Sequence, residues 1–276
     1  MPTDPLAGKA VLVTGGARRL GRAIALTLAQ AGADVAITFR ASQSDAAKTA
    51  SEIAAIGHSS LAVPCDVRSE PSVRAAVAQV IAEFGQLDVL VNNAAIFSSA
   101  ALESLTLDQW DAVFETNARG PFLVAREALP QLRAAHGRII NMGSLGGFHA
   151  WAGHAHYCSS KAALHMLTQA MAKAFAPDVS VNCVAPGWIA LQDPLPIEIS
   201  DENSDTRSNQ DSPTIDLSRA EGVSRAELQA ARFAAKTPMG RNGNADDVAQ
   251  AVLFFATGPH FITGQTLVVD GGLGLS

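Results

Sequence analysis

The chain has 276 residues, of which 48% are apolar and 17% charged, enough apolar material for one large core. Its 20 lysines and arginines stand against 26 carboxylates, giving a net charge of −6, and no basic run suggests a nucleic-acid partner. Residues 1–9 hold no signal-type apolar stretch and no apolar run nears 18 residues, so a soluble cytoplasmic protein with no membrane partner is expected.

Residues 10–14 (AVLVT) form a β-branched apolar run and read as a buried strand. The turn Gly15-Gly16-Ala17-Arg18-Arg19-Leu20-Gly21 follows. Residues 22–31 then show helical apolar spacing, closed by Gly32. Strand, glycine turn and helix is the setting of a dinucleotide fingerprint, in which backbone N–H groups at the helix start hold a pyrophosphate. The unit then repeats. Strands over 35–39, 61–64, 87–91, 138–142, 179–184 and 266–269 alternate with helices over 45–56, 72–84, 107–135, 156–175 and 245–256. The helix over 107–135 reads as one element, with Pro121 as its bend. This rhythm predicts an α/β fold: a Rossmann-like, doubly wound parallel sheet of about seven strands in a single domain over residues 1–276.

Residues 192–222 break the rhythm. They hold eight acidic and two basic side chains, so this segment carries the whole net charge of the chain. Residues 200–214 contain no aliphatic or aromatic side chain, too little to offset the entropy of ordering. An acidic, mobile insertion is expected there, with a helix over 224–235 behind it. The three cysteines, Cys65, Cys158 and Cys183, have no metal spacing and read as reduced packing residues.

Tyr157 is the only tyrosine, and Lys161 follows it by four positions. On a helix the two share a face, and an ammonium near a phenol lowers the phenol's pKa toward working pH. Tyr157 is thus a candidate general acid/base; the plain alternative is a buried tyrosine beside a solvated lysine. His149, His154 and His156 cluster with Trp151. Without carboxylate or cysteine ligands they read as pocket lining, and no metal is expected. Phe97, Trp151 and Trp188 are candidates for an aromatic substrate wall, with core packing an equal alternative for Trp188.

Together these residues resemble a single-domain short-chain dehydrogenase/reductase. The resemblance rests on Thr14-Gly15 with Gly21, Cys65-Asp66-Val67, Asn92-Asn93-Ala94-Ala95, Asn117, Ser144, Tyr157 with Lys161, Pro186-Gly187, Ile262-Thr263-Gly264-Gln265 and Asp270-Gly271-Gly272, in the family's order. It implies a nicotinamide-dependent oxidoreductase. Ser144 would hydrogen-bond the substrate carbonyl and Tyr157 would protonate it. Lys161 would bind the nicotinamide ribose and depress the Tyr157 pKa, and Asn117 would hold a water linking Lys161 to solvent. Asp66 and Val67 would meet the adenine, Asn93, Ala94 and Ala95 the adenosine side, and Pro186, Gly187 and Ile189 the carboxamide. The resemblance also implies a homodimer or homotetramer.

Arg19 stands where the family's turn has its middle glycine, which resembles pteridine reductases, and Leu191 stands where a threonine is usual. Ser144 resembles instead the carbonyl reductases, such as 3-oxoacyl-carrier-protein reductase. A pterin, a ketone and a 3-oxoacyl thioester all stay open as substrates. A silent NADP-binding sensor is the reading from another class, opposed by the presence of the Ser144, Tyr157 and Lys161 set. The second strand ends Phe39-Arg40-Ala41-Ser42, without the carboxylate that would accept hydrogen bonds from a ribose 2′-hydroxyl. Arg40, Ser42, Arg19 and Arg18 would instead bind a 2′-phosphate, so the expected cofactor is NADPH.

Overall fold

The computed structural model describes residues 4–191 and 225–275. Seven parallel strands form one sheet in the order β3-β2-β1-β4-β5-β6-β7: β1 Ala10–Val13, β2 Asp34–Phe39, β3 Ser60–Pro64, β4 Val89–Asn92, β5 Arg138–Met142, β6 Ser180–Pro186 and β7 Thr266–Val269. The helices are α1 Arg19–Gln30, α2 Gln43–Ile56, α3 Glu70–Phe84, α4 Leu107–Phe114, α5 Gly120–Ala134, α6 Ala155–Phe175, α7 Arg225–Lys236 and α8 Ala245–Thr257. The doubly wound architecture is the one the sequence predicts. Among the described residues no helix is long and apolar enough to cross a membrane.

Strand residues alternate between two cores. Val11 and Val13 of β1 pack with Val89 and Val91 of β4 under α1 and α8, against Ile24, Leu28, Val252 and Phe255. Leu12, Leu90 and Ile139 face the other way, onto Val77 of α3 and Leu123, Ala128 and Leu132 of α5. Strands buried on both faces are mostly apolar, which is why their runs show no polar alternation. The helix starts are written locally. Thr106 with Gln109 and Asn244 with Asp247 form capping boxes at α4 and α8. Left-handed glycines, Gly57 and Gly85, end α2 and α3.

One expected helix is not continuous. Residues 107–135 split into α4 and α5 around a π-helical segment, Glu115–Arg119. Pro121 follows this segment directly, in the first turn of α5, and has no N–H to continue the helical ladder across the break. The widened turn places Asn117 so that its Oδ1 accepts Ile96 N–H at 2.8 Å and its Nδ2 donates to Ile96 O at 2.9 Å and Ser160 Oγ at 3.1 Å. Such π-bulges mark functional positions. The helix expected over 224–235 is α7, while the acidic insertion expected at 192–222 lies outside the described residues.

Candidate active site

A cleft of about 930 Å³ opens at the carboxyl ends of the strands. The strand order reverses between β1 and β4, and this switch point is where doubly wound sheets bind ligands. The turn after β1 lines it with Gly15, Arg18, Arg19, Leu20 and Gly21. Gly15 is left-handed, with φ +64°, and a Cβ there would lie 3.0 Å from the Ala94 Cα. A Cβ on Gly21 would collide with the Gly15 carbonyl. Asn93 Nδ2 holds that carbonyl and the Thr14 carbonyl at 3.1 and 3.0 Å, tying the turn to the β4 loop. Thr14 itself does not line the cleft. Its Oγ1 is buried and accepts the N–H groups of Asn93 and Ala94 at 3.0 and 3.1 Å.

Arg19 takes φ 55°, a left-handed conformation that costs a non-glycine residue about 1–2 kcal/mol. It occupies the glycine-like place the sequence assigns it, and its side chain joins the cleft wall. Arg40 and Ser42 line the cleft at the end of β2; Ser42 leads into α2 without a side-chain cap bond. Arg18 and Arg40 are exposed, and their side chains form no hydrogen bond or ion pair among the described residues. The carboxylate at this end belongs to Asp66, from the β3 end. Arg68 grips it through Nη2 at 2.6 Å and Nε at 2.9 Å, which holds its pKa down at about 2; Arg40 adds a smaller pull. Arg68 is a partner that motif reading missed.

Ser144, Tyr157 and Lys161 converge at the other end of the cleft, along with Asn93, Ala94, Ala95, Val67, Pro186, Gly187 and Ile189 on its walls. Ser144 caps a short turn after β5, its Oγ accepting Gly146 N–H at 3.1 Å, and it lines the cleft beside Tyr157. Lys161 is buried, and its Nζ donates to Met142 O at 2.7 Å. Burial pushes the Lys161 pKa down to about 8, with the Cys183 sulfur opposing. Asn117 does not line the cleft, because its side chain is spent on Ile96 and Ser160.

The electrostatics of Tyr157 differ from the sequence expectation. Burial pushes its pKa up to about 12, with the neighbouring Ser144 hydroxyl pulling the other way. The residue as a whole is half-buried, one side facing the cleft. The Lys161 ammonium sits 5.8 Å from the ring centroid and does not overcome desolvation. The phenol is therefore protonated at neutral pH, the form a proton donor needs.

Phe97 meets the Tyr157 ring edge-on at 4.8 Å, and Trp151 lies nearly parallel to it at 6.2 Å. Trp188 stacks on Phe233 of α7 at 4.1 Å and 9°, so α7 supplies part of the wall, with Glu227 and Ala230 also lining it. The histidines diverge. His156 is fully buried and meets Ser98 Oγ at 2.8 Å; His154 reaches Ser98 O and stacks on Phe97; His149 lies beside the C-terminal turn at Gly274. The three cysteines are free and buried, and burial raises the Cys158 thiol, as suits packing. His165, beneath Ser144, is a further residue the motifs do not mark.

The profile of the short chain dehydrogenase family matches residues 9–193, and that of enoyl-(acyl carrier protein) reductase matches residues 202–274. The chain is 35% identical over 268 residues to a 3-oxoacyl-[acyl-carrier-protein] reductase of Staphylococcus aureus, covering 96% of this chain and 98% of that one. It is 30% identical to an uncharacterised oxidoreductase of Methylorubrum extorquens, covering 97% and 98%. Among solved structures, a short-chain dehydrogenase/reductase of Serratia marcescens superposes with a TM-score of 0.82 at 32% identity, covering 98% and 99%. A dehydrogenase/reductase of Sinorhizobium meliloti gives 0.81 at 34%, covering 98% and 97%. With the cleft at the switch point, and with profile and relatives spanning the chain, this protein belongs to the short-chain dehydrogenase/reductase family and is an oxidoreductase that uses a nicotinamide cofactor.

Proposed function

We propose that the protein is an NADPH-dependent carbonyl reductase in which Tyr157 delivers the proton. The observation that carries this reading is one continuous cleft lined by Arg18, Arg19 and Arg40 at one end and by Ser144, Tyr157 and Lys161 at the other. The residues fit the cofactor. The left-handed Gly15 leaves the turn open toward a pyrophosphate, and the Arg18 and Arg40 guanidinium groups, exposed at this end, would pair with a 2′-phosphate. Asp66 does not oppose that phosphate freely, because Arg68 neutralises it.

When bound, the nicotinamide supplies the hydride. This chain's residues do the rest. As negative charge develops on the substrate oxygen, the Ser144 and Tyr157 hydroxyls donate to it. Tyr157 Oη then gives up its proton, and its raised pKa keeps that proton available across the neutral range. Lys161 steadies the phenolate left behind, from a buried position fixed by Met142 O. Asn117 ties the β4 loop to α6, which holds the Tyr157 helix against the cleft floor.

Among substrates, the name of the Staphylococcus relative supports a 3-oxoacyl thioester first. The aromatic wall of Phe97, Trp151 and Trp188 favours a flat, apolar carbonyl compound, and a pterin rests on the Arg19 turn and on Leu191 in place of the usual threonine. A panel of acetoacetyl-CoA, 9,10-phenanthrenequinone and dihydrobiopterin, with NADPH consumption followed by absorbance, separates these. Turnover of none of them, with NADPH bound, would favour the silent sensor. We also infer a cytoplasmic homodimer or homotetramer, supported by Phe122 on α5 and Met166 on α6, which are 41% and 63% exposed. Light scattering showing a monomer at micromolar concentration would contradict it.

A further inference from the structure

His165 follows Tyr157 and Lys161 at the same four-residue step on α6, so all three lie on one helix face. It is 6% exposed. Its Nε2 accepts the Ser144 backbone N–H at 3.4 Å, a long bond, so packing must supply the rest of the fixation. A Cβ on Gly143 would run into Nε2, and one on Gly147 into Cε1, so the ring fills the space those two glycines leave. Phe148 covers it with ring centroids 4.5 Å apart. Nδ1 is buried without a hydrogen-bond partner. An imidazole accepting at Nε2 carries its proton at Nδ1, so the contact with Ser144 is kept although it leaves a donor unsatisfied. Native structures hold few such groups, and each needs a reason.

We infer that His165 is a positioning residue for Ser144: its neutral ring, wedged between Gly143 and Gly147, fixes the serine turn against α6 and so sets the Ser144 hydroxyl relative to Tyr157. The inference rests on the roles proposed above for Ser144 and Tyr157. His165 does not line the cleft and touches no reacting atom. Burial, with the Lys161 charge one turn away, lowers its pKa to about 4, which keeps the acceptor lone pair free at neutral pH. Misplacing a donor by about 1 Å can cost on the order of 10²-fold in rate, so a wedge of this kind has kinetic weight.

The test compares His165→Phe, which keeps a ring and removes the acceptor, with His165→Gln, which restores an acceptor at similar reach. NADPH turnover is followed with acetoacetyl-CoA and 9,10-phenanthrenequinone, beside Tyr157→Phe as a control. The expected result is a kcat loss of roughly tenfold in His165→Phe, an NADPH KM changed by less than about twofold, and recovery of most of the loss in His165→Gln. Wild-type kcat in His165→Phe, or an equal loss in His165→Gln, overturns the inference while an inactive Tyr157→Phe leaves the reductase reading intact. Full turnover in Tyr157→Phe sinks that reading instead. A second measurement does not depend on turnover. Nitrogen-15 shifts of histidine-labelled protein, assigned by their loss in His165→Gln, should show Nδ1 protonated and Nε2 bare near neutral pH. A proton on Nε2 overturns the inference whatever the kinetics, and decides the matter if neither probe is turned over.

Discussion

At the glycine-turn end of the cleft, Arg18 and Arg40 stand exposed and Asp66 is held ionised by Arg68. At the Ser144 end, Ser144, Lys161 and His165 are each more than nine-tenths buried, and burial sets their chemistry. In the proposed function the first end recognises through charge that water still screens; the second acts through groups whose proton affinities water no longer levels. Changes at the first end should therefore alter which cofactor is used. Changes at the second should alter whether the reaction runs at all.

The largest effect short of losing Tyr157 is expected at the buried end. Ser144→Ala removes one of the two donors proposed for the developing oxyanion and should lower kcat on the order of 10²–10³-fold, with NADPH binding retained. Fluorescence titration of NADPH separates the two quantities. A comparable loss in cofactor binding would mean that the two ends are not separable.

The same end predicts a pH dependence of stability. His165 has a folded pKa of about 4, below its ordinary value near 6.5, because burial and Lys161 disfavour the cation. The unfolded chain takes up a proton between those values and the folded chain does not. Stability from this group is therefore present above about pH 6.5 and is lost as pH falls toward 4, by up to about 3 kcal/mol. Urea denaturation of wild type and His165→Gln across that window should show a shallower loss in the variant. Parallel slopes would contradict the burial of a neutral imidazole.

At the exposed end the expected effect is smaller. Arg40→Asp should lower the preference for NADPH over NADH by at least about tenfold, near 1.4 kcal/mol, with kcat on the better cofactor little changed. Parallel kcat/KM determinations with both cofactors measure it. An unchanged preference would move the phosphate contact to Arg18 and Arg19.

The sequence reveals these two ends unequally. The glycine turn, the missing carboxylate after Phe39 and the Tyr157–Lys161 step are local patterns, and local patterns survive into the fold. Four features do not show in the spacing of the sequence. The π segment at Glu115–Arg119 hides because α4 and α5 share one helical period on either side of it. Arg68 matters only because its side chain folds back on Asp66. Glu227, Ala230 and Phe233 reach the wall from α7, beyond the acidic segment. The direction of the Tyr157 pKa depends on burial, which no spacing of tyrosine and lysine encodes. His165 had a faint signal, the third member of a four-residue step facing a turn with glycines on both sides.

The most direct measurement is single-turnover oxidation of bound NADPH by Tyr157→Phe beside wild type, with acetoacetyl-CoA or 9,10-phenanthrenequinone as acceptor. The phenylalanine keeps the ring that packs on Phe97 and Trp151 and removes only the proton. The proposed mechanism predicts unchanged NADPH affinity and a rate lower on the order of 10²–10⁴-fold. A rate like that of the wild type would contradict Tyr157 as the proton donor.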